Sequence, residues 1–226
     1  MKNLERLEYL FGNTNIEKLK QAKVAVIGLG GVGGVAALAL ARTGVGSLII
    51  QDYDIVQESN INRQLIANYE TLGRKKADVM EEEILKVNPT CSVIKLDERF
   101  CEESKLFTYE FDYLIDAIDS VADKFFLIKE CLKRKLTFIS AMGAAKKVDP
   151  TKLVVTEIKK TCADPLAKII RRKLREENIN EKVMVVSSTE VPAKIPALGS
   201  YMPVTATAGL LLADYIVKLI ITGGIS

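Results

Sequence analysis

An α/β fold, built as a doubly wound and mostly parallel sheet, is predicted by three features of the sequence. Short β-branched runs alternate with helix-period stretches over the first 145 residues. A glycine-rich turn joins the first such run to an alanine-rich stretch, and 48% of the 226 residues are apolar, enough to cover both faces of a sheet.

An amphipathic leader (Leu4, Leu7, Leu10, Phe11) precedes the first strand, Lys23 to Ile27, which runs into Gly28-Leu29-Gly30-Gly31-Val32-Gly33 and a helix over Val35 to Arg42. Ser47 to Gln51 reads as a strand ending at Asp52. Gly73 to Val87 has helical periodicity, Ser92 to Leu96 is a strand, and Phe111 to Ile118 is a buried strand ending in acids. Ala122 to Lys135 is a helix and Leu136 to Ser140 a strand. From Lys146 the pattern changes to a strand (Leu153 to Ile158), a basic helix opened by Asp164-Pro165, a strand (Val183 to Val186) and a proline-rich connection to a last helix. No repeat or low-complexity linker intervenes. One domain over 1–226 is expected, with a core over 1–145 and a basic elaboration plus C-terminal helix over 146–226. In such a sheet the ligand crevice lies at the carboxyl ends of the strands.

Composition removes whole classes of chemistry. The chain has no histidine, which excludes Ser-His, Cys-His and His-ligated metal mechanisms. Lys plus Arg number 32 against 29 Asp plus Glu, a net charge of +3 that does not by itself indicate nucleic-acid binding. The four cysteines (Cys91, Cys101, Cys131, Cys162) form no C-x-x-C pair, so neither zinc nor a disulfide framework is suggested, and a cytoplasmic location fits best. The apolar run Val204 to Thr222 contains Asp214 and Lys218. It therefore reads as a core or subunit-contact helix rather than a membrane span.

Gly28, Gly30 and Gly33 satisfy G-x-G-x-x-G between a strand and a helix, where bare amides and the helix dipole can hold a phosphate. The alternative is that these glycines only permit close helix-strand packing. Asp52, at the end of the second strand, is placed to accept ribose hydroxyls, which makes the fold Rossmann-like without separating NAD from ATP. Arg63, Lys76 and Asp119 add two cations and a metal-capable acid. Hydride transfer makes no such demand, whereas nucleotidyl transfer develops charge on phosphorus and pyrophosphate that cations and Mg²⁺ stabilise. The bland reading of Lys76 is one more solvated charge beside Arg74 and Lys75, and Asp116 and Asp119 could be capping acids.

Together these residues resemble the ubiquitin-activating-enzyme-like superfamily of ThiF/MoeB type, ATP-dependent enzymes that adenylate a carboxylate. The resemblance rests on Arg6, G-L-G-G-V-G at Gly28 to Gly33, Asp52-Tyr53-Asp54, S-N-I-N-R-Q at Ser59 to Gln64, Lys76, and D-A-I-D-S at Asp116 to Ser120. It implies that ATP is held by Gly28, Gly30, Gly31 and Gly33, that Asp52 takes its ribose, and that Asn60, Arg63 and Lys76 engage its phosphates. Asp54, Asn62, Gln64 and Ser120 would complete that site, and Asp119 would hold Mg²⁺. In the superfamily an arginine ahead of the first strand reaches into the partner subunit's site, which implies a homodimer with Arg6 in that role; a solvated leader charge is the alternative.

The later half is similar to the tRNA threonylcarbamoyladenosine dehydratases of that superfamily. The similarity is carried by A-R-T-G-V-G at Ala41 to Gly46, D-A-I-D-S-V-A-D-K at Asp116 to Lys124, D-P-L-A-K-I-I-R-R-K-L-R at Asp164 to Arg175, and S-T-E-V-P at Ser188 to Pro192. Two departures matter. The zinc-binding cysteine pairs of sulfur-carrier-activating relatives are missing, and Val185 stands where some dehydratases carry a cysteine, which leaves a sulfur-relay partner in question.

Eleven basic and six acidic residues fall between Lys146 and Lys182. At 100° per residue, Lys168, Arg171, Arg172 and Arg175 cluster on one helix face, opposite Leu166, Ile169, Ile170 and Leu174. Such a face suits a tRNA phosphate backbone, or is simply solvated. The leading expectation is adenylation of the carboxylate of threonylcarbamoyladenosine in tRNA, followed by cyclisation with loss of water. The alternatives are activation of a ubiquitin-like sulfur carrier at its C-terminus, an NAD-dependent oxidoreductase, and a non-catalytic nucleotide-binding module.

Overall fold

The computed structural model describes residues 2–223. Among these residues seven strands form one sheet: β1 (Lys23–Ile27), β2 (Ser47–Gln51), β3 (Ser92–Leu96), β4 (Tyr113–Asp116), β5 (Thr137–Ala141), β6 (Leu153–Glu157) and β7 (Met184–Ser188). Their spatial order is β3-β2-β1-β4-β5-β7-β6, with every pairing parallel except β6 on β7. The order reverses at β1, where β1 lies between β2 and β4, and there the glycine turn emerges.

The helices are α1 (Glu5–Phe11), α2 (Asn13–Gln21), α3 (Gly33–Arg42), α4 (Lys76–Val87), α5 (Val121–Lys133), α6 (Pro165–Glu176) and α7 (Met202–Thr222). Two apolar clusters cover the two faces of the sheet. One gathers Val24, Val26, Leu48 and Ile50 under α3, α4 and α7, and the other gathers Ala25, Ile27, Ile49 and Leu114 under α5 and α6. Alternate residues of β1 and β2 thus serve opposite layers, as a strand period of two demands.

The leader, β4 and β7 depart from the sequence reading in ways that bear on the site, while the other elements shift by at most three residues at either end. The leader breaks into α1 and α2 at Gly12, whose φ of 78° no helix accommodates, and this turns Leu10 outward to 71% exposure while Leu4 stays buried. β4 is shorter than Phe111 to Ile118. Asp112 instead accepts the Lys23 amide, and the chain turns beyond Asp116, whose Oδ1 accepts the Ile118 amide at 3.0 Å. β7 runs two residues further, to the buried Ser188, because β6 continues to pair with it.

The last apolar run becomes α7, which is long and apolar enough to cross a membrane by length and composition; 56% of its most apolar stretch is buried inside the protein. It crosses α3 closely at Gly209, where a Cβ would stand 2.3 Å from the Val32 carbonyl oxygen. The α7 side chains Leu212, Ile216 and Ile220 are buried, each contributing roughly 1.5–3 kcal/mol. The elaboration after Lys146 supplies two strands of the common sheet and this helix.

Candidate active site at the carboxyl ends of the strands

A cavity of about 590 Å³ opens along the carboxyl ends of β2, β1, β4 and β5, within the size range of small-molecule sites. Its middle is the glycine turn. Gly28 has φ +89°, and its own carbonyl oxygen lies 1.8 Å from where a Cβ on Gly33 would be, so α3 can start only against a bare residue at 33. Gly28, Gly30 and Gly31 line the cavity, whereas Gly33 does not. Packing alone therefore accounts for Gly33 and also constrains Gly28, whose Cβ would stand 2.7 Å from the Ala117 carbonyl oxygen, while Gly30 is the most open of the three that face the cavity. Above them α3 begins with no side-chain cap and no acid in its first turn, leaving its N-terminal amides and dipole for an anion.

Asp52 is 8% exposed at the end of β2 and accepts the Leu29 amide at 2.6 Å and the Asp54 amide at 2.9 Å. Burial pushes its carboxyl above the ordinary aspartate value, partly countered by the Lys76 charge and the two amides. Lys76 is the first residue of α4 and is 5% exposed; its Nζ lies 2.8 Å from Asp54 Oδ2, and its amide donates to the Asp54 carbonyl at 3.0 Å. Its neighbours differ. Arg74 pairs with Glu82 and Lys75 with Asp97 on the surface. Only Lys76 turns into the cavity, so the solvated reading of that run holds for Arg74 and Lys75 alone.

Asn60 and Gln64 are buried and Arg63 half-buried, and all three line the cavity. The Arg63 guanidinium donates to the Ser59 carbonyl at 2.7 Å and to Asn62 Oδ1 at 2.9 Å. Asn62 is not in the wall; its amide donates to the Ser200 carbonyl at 3.1 Å, tying the segment before α7 to Arg63. Two buried amide oxygens, Gln51 Oε1 and Gln64 Oε1, have no partner among the described residues.

Asp119 and Ser120 follow β4 in the same wall. Asp119 is exposed and has no hydrogen bond or ion pair within the described residues, so it does not act as a cap. Beneath it lies a group that sequence reasoning did not single out. Lys124 and Asp116 are both fully buried, with Nζ 2.7 Å from Oδ2, and Ser140 joins them at 3.1 Å from Lys124 and 2.5 Å from Asp116. This fixes the turn that carries Asp119. A signal existed, because Lys124 shares a helix face with the buried Leu127 and Ile128.

Arg6 is exposed on α1 and does not reach this cavity. Of the four cations expected on one face of α6, Lys168, Arg172 and Arg175 are exposed, with Arg172 Nε 3.5 Å from Glu176. Arg171 departs from the expected free face. It is half-buried and donates to the Thr161 carbonyl at 2.7 Å and to the Thr161 hydroxyl, because the loop entering α6 folds back along that side of the helix.

All four cysteines are free. Burial pushes the Cys91 thiol up to about 11 and Cys131 higher still, and the Glu103 hydrogen bond raises Cys101. The cavity wall contains no cysteine among the described residues. Its polar half can hold a nucleoside triphosphate and stabilise charge moving between phosphorus and pyrophosphate.

A model of the ThiF family matches residues 4–225. Over 192 residues the chain is 45% identical to the tRNA threonylcarbamoyladenosine dehydratase of Bacillus subtilis, covering 84% of this chain and 76% of that protein. The Escherichia coli protein of the same name is 37% identical over 170 residues, which span 74% of this chain and 63% of that one. The crystal structure of the Escherichia coli dehydratase in complex with ATP is similar with a TM-score of 0.94 at 35% identity, covering 98% of this chain and 95% of that chain. Its complex with AMP is similar at a TM-score of 0.92.

Proposed function

The chain belongs to the ThiF family, and on that premise we propose that it is an ATP-dependent tRNA dehydratase that adenylates the carboxylate of threonylcarbamoyladenosine and closes it into a ring with loss of water. One observation carries this reading: a single cavity gathers the glycine turn, Asp52, Arg63, Lys76 and Asp119, all groups suited to a nucleotide and its phosphates. The dehydratase relatives supply the substrate by analogy, and the ATP and AMP complexes of the Escherichia coli enzyme supply the nucleotide.

The chemistry follows from what a carboxylate lacks. Its oxide is a poor leaving group, so the acid must first be joined to a better one. A carboxylate oxygen attacks the α-phosphorus of ATP, the bond to the β-phosphate breaks, and pyrophosphate departs. The side chain's own amide then attacks the acyl carbon, AMP leaves with the carboxylate oxygen, and the amide proton is lost to solvent. Asp52 holds the ribose hydroxyls, the amides of Gly30 and Gly31 and the α3 dipole hold the phosphates, and Lys76 and Arg63 meet the charge that grows on them. No protein nucleophile takes part. Val185, where some dehydratases carry a cysteine, is a fully buried residue of β7.

Asp119 fits a Mg²⁺ role. Mg²⁺ takes one or two carboxylates with phosphate oxygens and water, and Asp119 offers a carboxylate without a protein partner among the described residues in the wall of the same cavity. The ion, when bound, would neutralise charge on the departing pyrophosphate. The proposal extends to a homodimer in which Arg6 completes a neighbouring site, supported by its exposed place on α1 beside Tyr9 (80% exposed) and Leu10. It also extends to tRNA docking on the exposed α6 cations.

Pyrophosphate release measured with three acceptors tests the reading. Release with threonylcarbamoyladenosine-bearing tRNA, and not with unmodified tRNA or a ubiquitin-like sulfur carrier, is expected. Release with the carrier alone would replace this reading with sulfur-carrier activation.

A further inference from the structure

The cavity has two chemically different halves. Following the sheet order, the end near β2 and β3 carries Asp52, Glu98, Arg99 and Phe100, and the glycine turn and Lys76 occupy the middle. Toward β5 the wall turns apolar: Met142, Ala144, Ala145, Leu166, Ile169 and Leu198. A nucleotide with its ribose on Asp52 and its phosphates on the glycine turn fills the first two regions and leaves the third.

Ile169 is the informative residue of that third region. It is a half-buried β-branched side chain that joins neither of the two apolar clusters of the core among the described residues, although Ala167 and Ile170 beside it are fully buried. Leu166, one turn earlier, touches the second cluster with part of its surface and the cavity with the rest. These two residues are i and i+3 on α6 and so form one strip. The strip is held rigidly. Asp164 caps α6 through the Ala167 amide at 3.0 Å and pairs at 2.7 Å with Lys147, which also donates to the Gly143 carbonyl. Lys147 and Asp164 are 2% and 3% exposed, so this buried pair ties the loop carrying Ala144 and Ala145 to the start of α6. The same helix turns Lys168, Arg172 and Arg175 outward to solvent.

We infer that Leu166 and Ile169 form the specificity wall for the acceptor, taking the flat, largely apolar face of the modified purine while its carboxylate reaches the phosphates. This rests on the tRNA reading above and names residues for it. An acceptor carboxylate must approach from the side the nucleotide leaves open, and that side is apolar. The cations that flank this strip on α6, Arg172 one turn beyond Ile169 among them, would hold the nucleic-acid backbone beside it, so one rigid helix positions both parts of the substrate.

The test is steady-state kinetics with tRNA bearing threonylcarbamoyladenosine, alongside ATP affinity by calorimetry and thermal melting. Ile169→Ser should raise the KM for tRNA by roughly tenfold or more, with ATP affinity unchanged and Ile169→Val close to wild type. If Ile169→Ser melts early, Ala145→Leu, which fills the subsite from the facing loop, should raise the same KM. An unchanged tRNA KM in these variants, or a loss confined to ATP affinity, would overturn the assignment. A wild-type protein that releases no pyrophosphate with this tRNA would instead refute the functional reading itself.

Discussion

Lys76→Met removes one charge from the phosphate site while keeping the buried stem, which makes it the cleanest single perturbation. The Lys76 side chain is 6% exposed and its partner Asp54 is 47% exposed. The Asp54 carboxylate left behind is already half in water and its loss of a partner should cost about 1 kcal/mol of stability or less, while the buried Asp52, which loses the Lys76 charge as well, should titrate higher still. Methionine fills nearly the same volume, so no cavity follows. The catalytic cost is larger. If the ammonium acts like one oxyanion-hole donor, its removal costs about 2.7–4 kcal/mol of transition-state stabilisation, or about 10²–10³ in kcat. ATP-dependent AMP formation with modified tRNA, read beside a thermal melt, separates the two effects. A fall of that size with a melting curve close to wild type is expected. Wild-type turnover would refute the phosphate role, and a matching collapse of the melt would reduce Lys76 to a structural residue.

Three further outcomes are expected. Asp52 accepts ribose hydroxyls more strongly when ionised, and burial raises its carboxyl above the ordinary range; nucleoside affinity should therefore fall on acidification at a higher pH than an ordinary aspartate would give, and Asp52→Asn should abolish that titration. Mixing Arg6→Ala with Lys76→Ala protein should restore part of the activity if a composite site forms across subunits, and no recovery after subunit exchange would confine Arg6 to the surface. Reversing Lys168, Arg172 and Arg175 to Glu should weaken tRNA binding and lower the slope of log K against log salt by about 0.7–0.9 per lost phosphate contact, leaving ATP affinity alone; an unchanged slope would make the face a solvated one.

The sheet was legible because its strands are β-branched runs with glycine or acidic ends, and the nucleotide end of the site because a glycine turn and an acid after the next strand are local in sequence. Other features needed the third dimension. Arg74, Lys75 and Lys76 are equivalent as text, and only the start of α4 at Lys76 against the Asp54 backbone selects one for the cavity. Gly33 looked like a ligand glycine because its role depends on a carbonyl five residues earlier. The wheel put Arg171 with the free cations since it contains no loop, whereas the chain before α6 supplies the carbonyl that takes it. Lys147 and Asp164 lie seventeen residues apart, and no periodicity signals that they meet. The division of Leu166 and Ile169 between core and cavity depends on what faces α6, which the helix's own pattern cannot encode.

Isotope tracing follows adenylation of the acceptor's carboxylate atom by atom. With heavy oxygen placed in the carboxylate of the modified tRNA, attack on the α-phosphorus followed by ring closure must carry one labelled oxygen into AMP and none into pyrophosphate. Labelled AMP, formed in step with a tRNA nucleoside lighter by one water, is the expected result. Unlabelled AMP, or label appearing in inorganic phosphate alongside ADP, would contradict it.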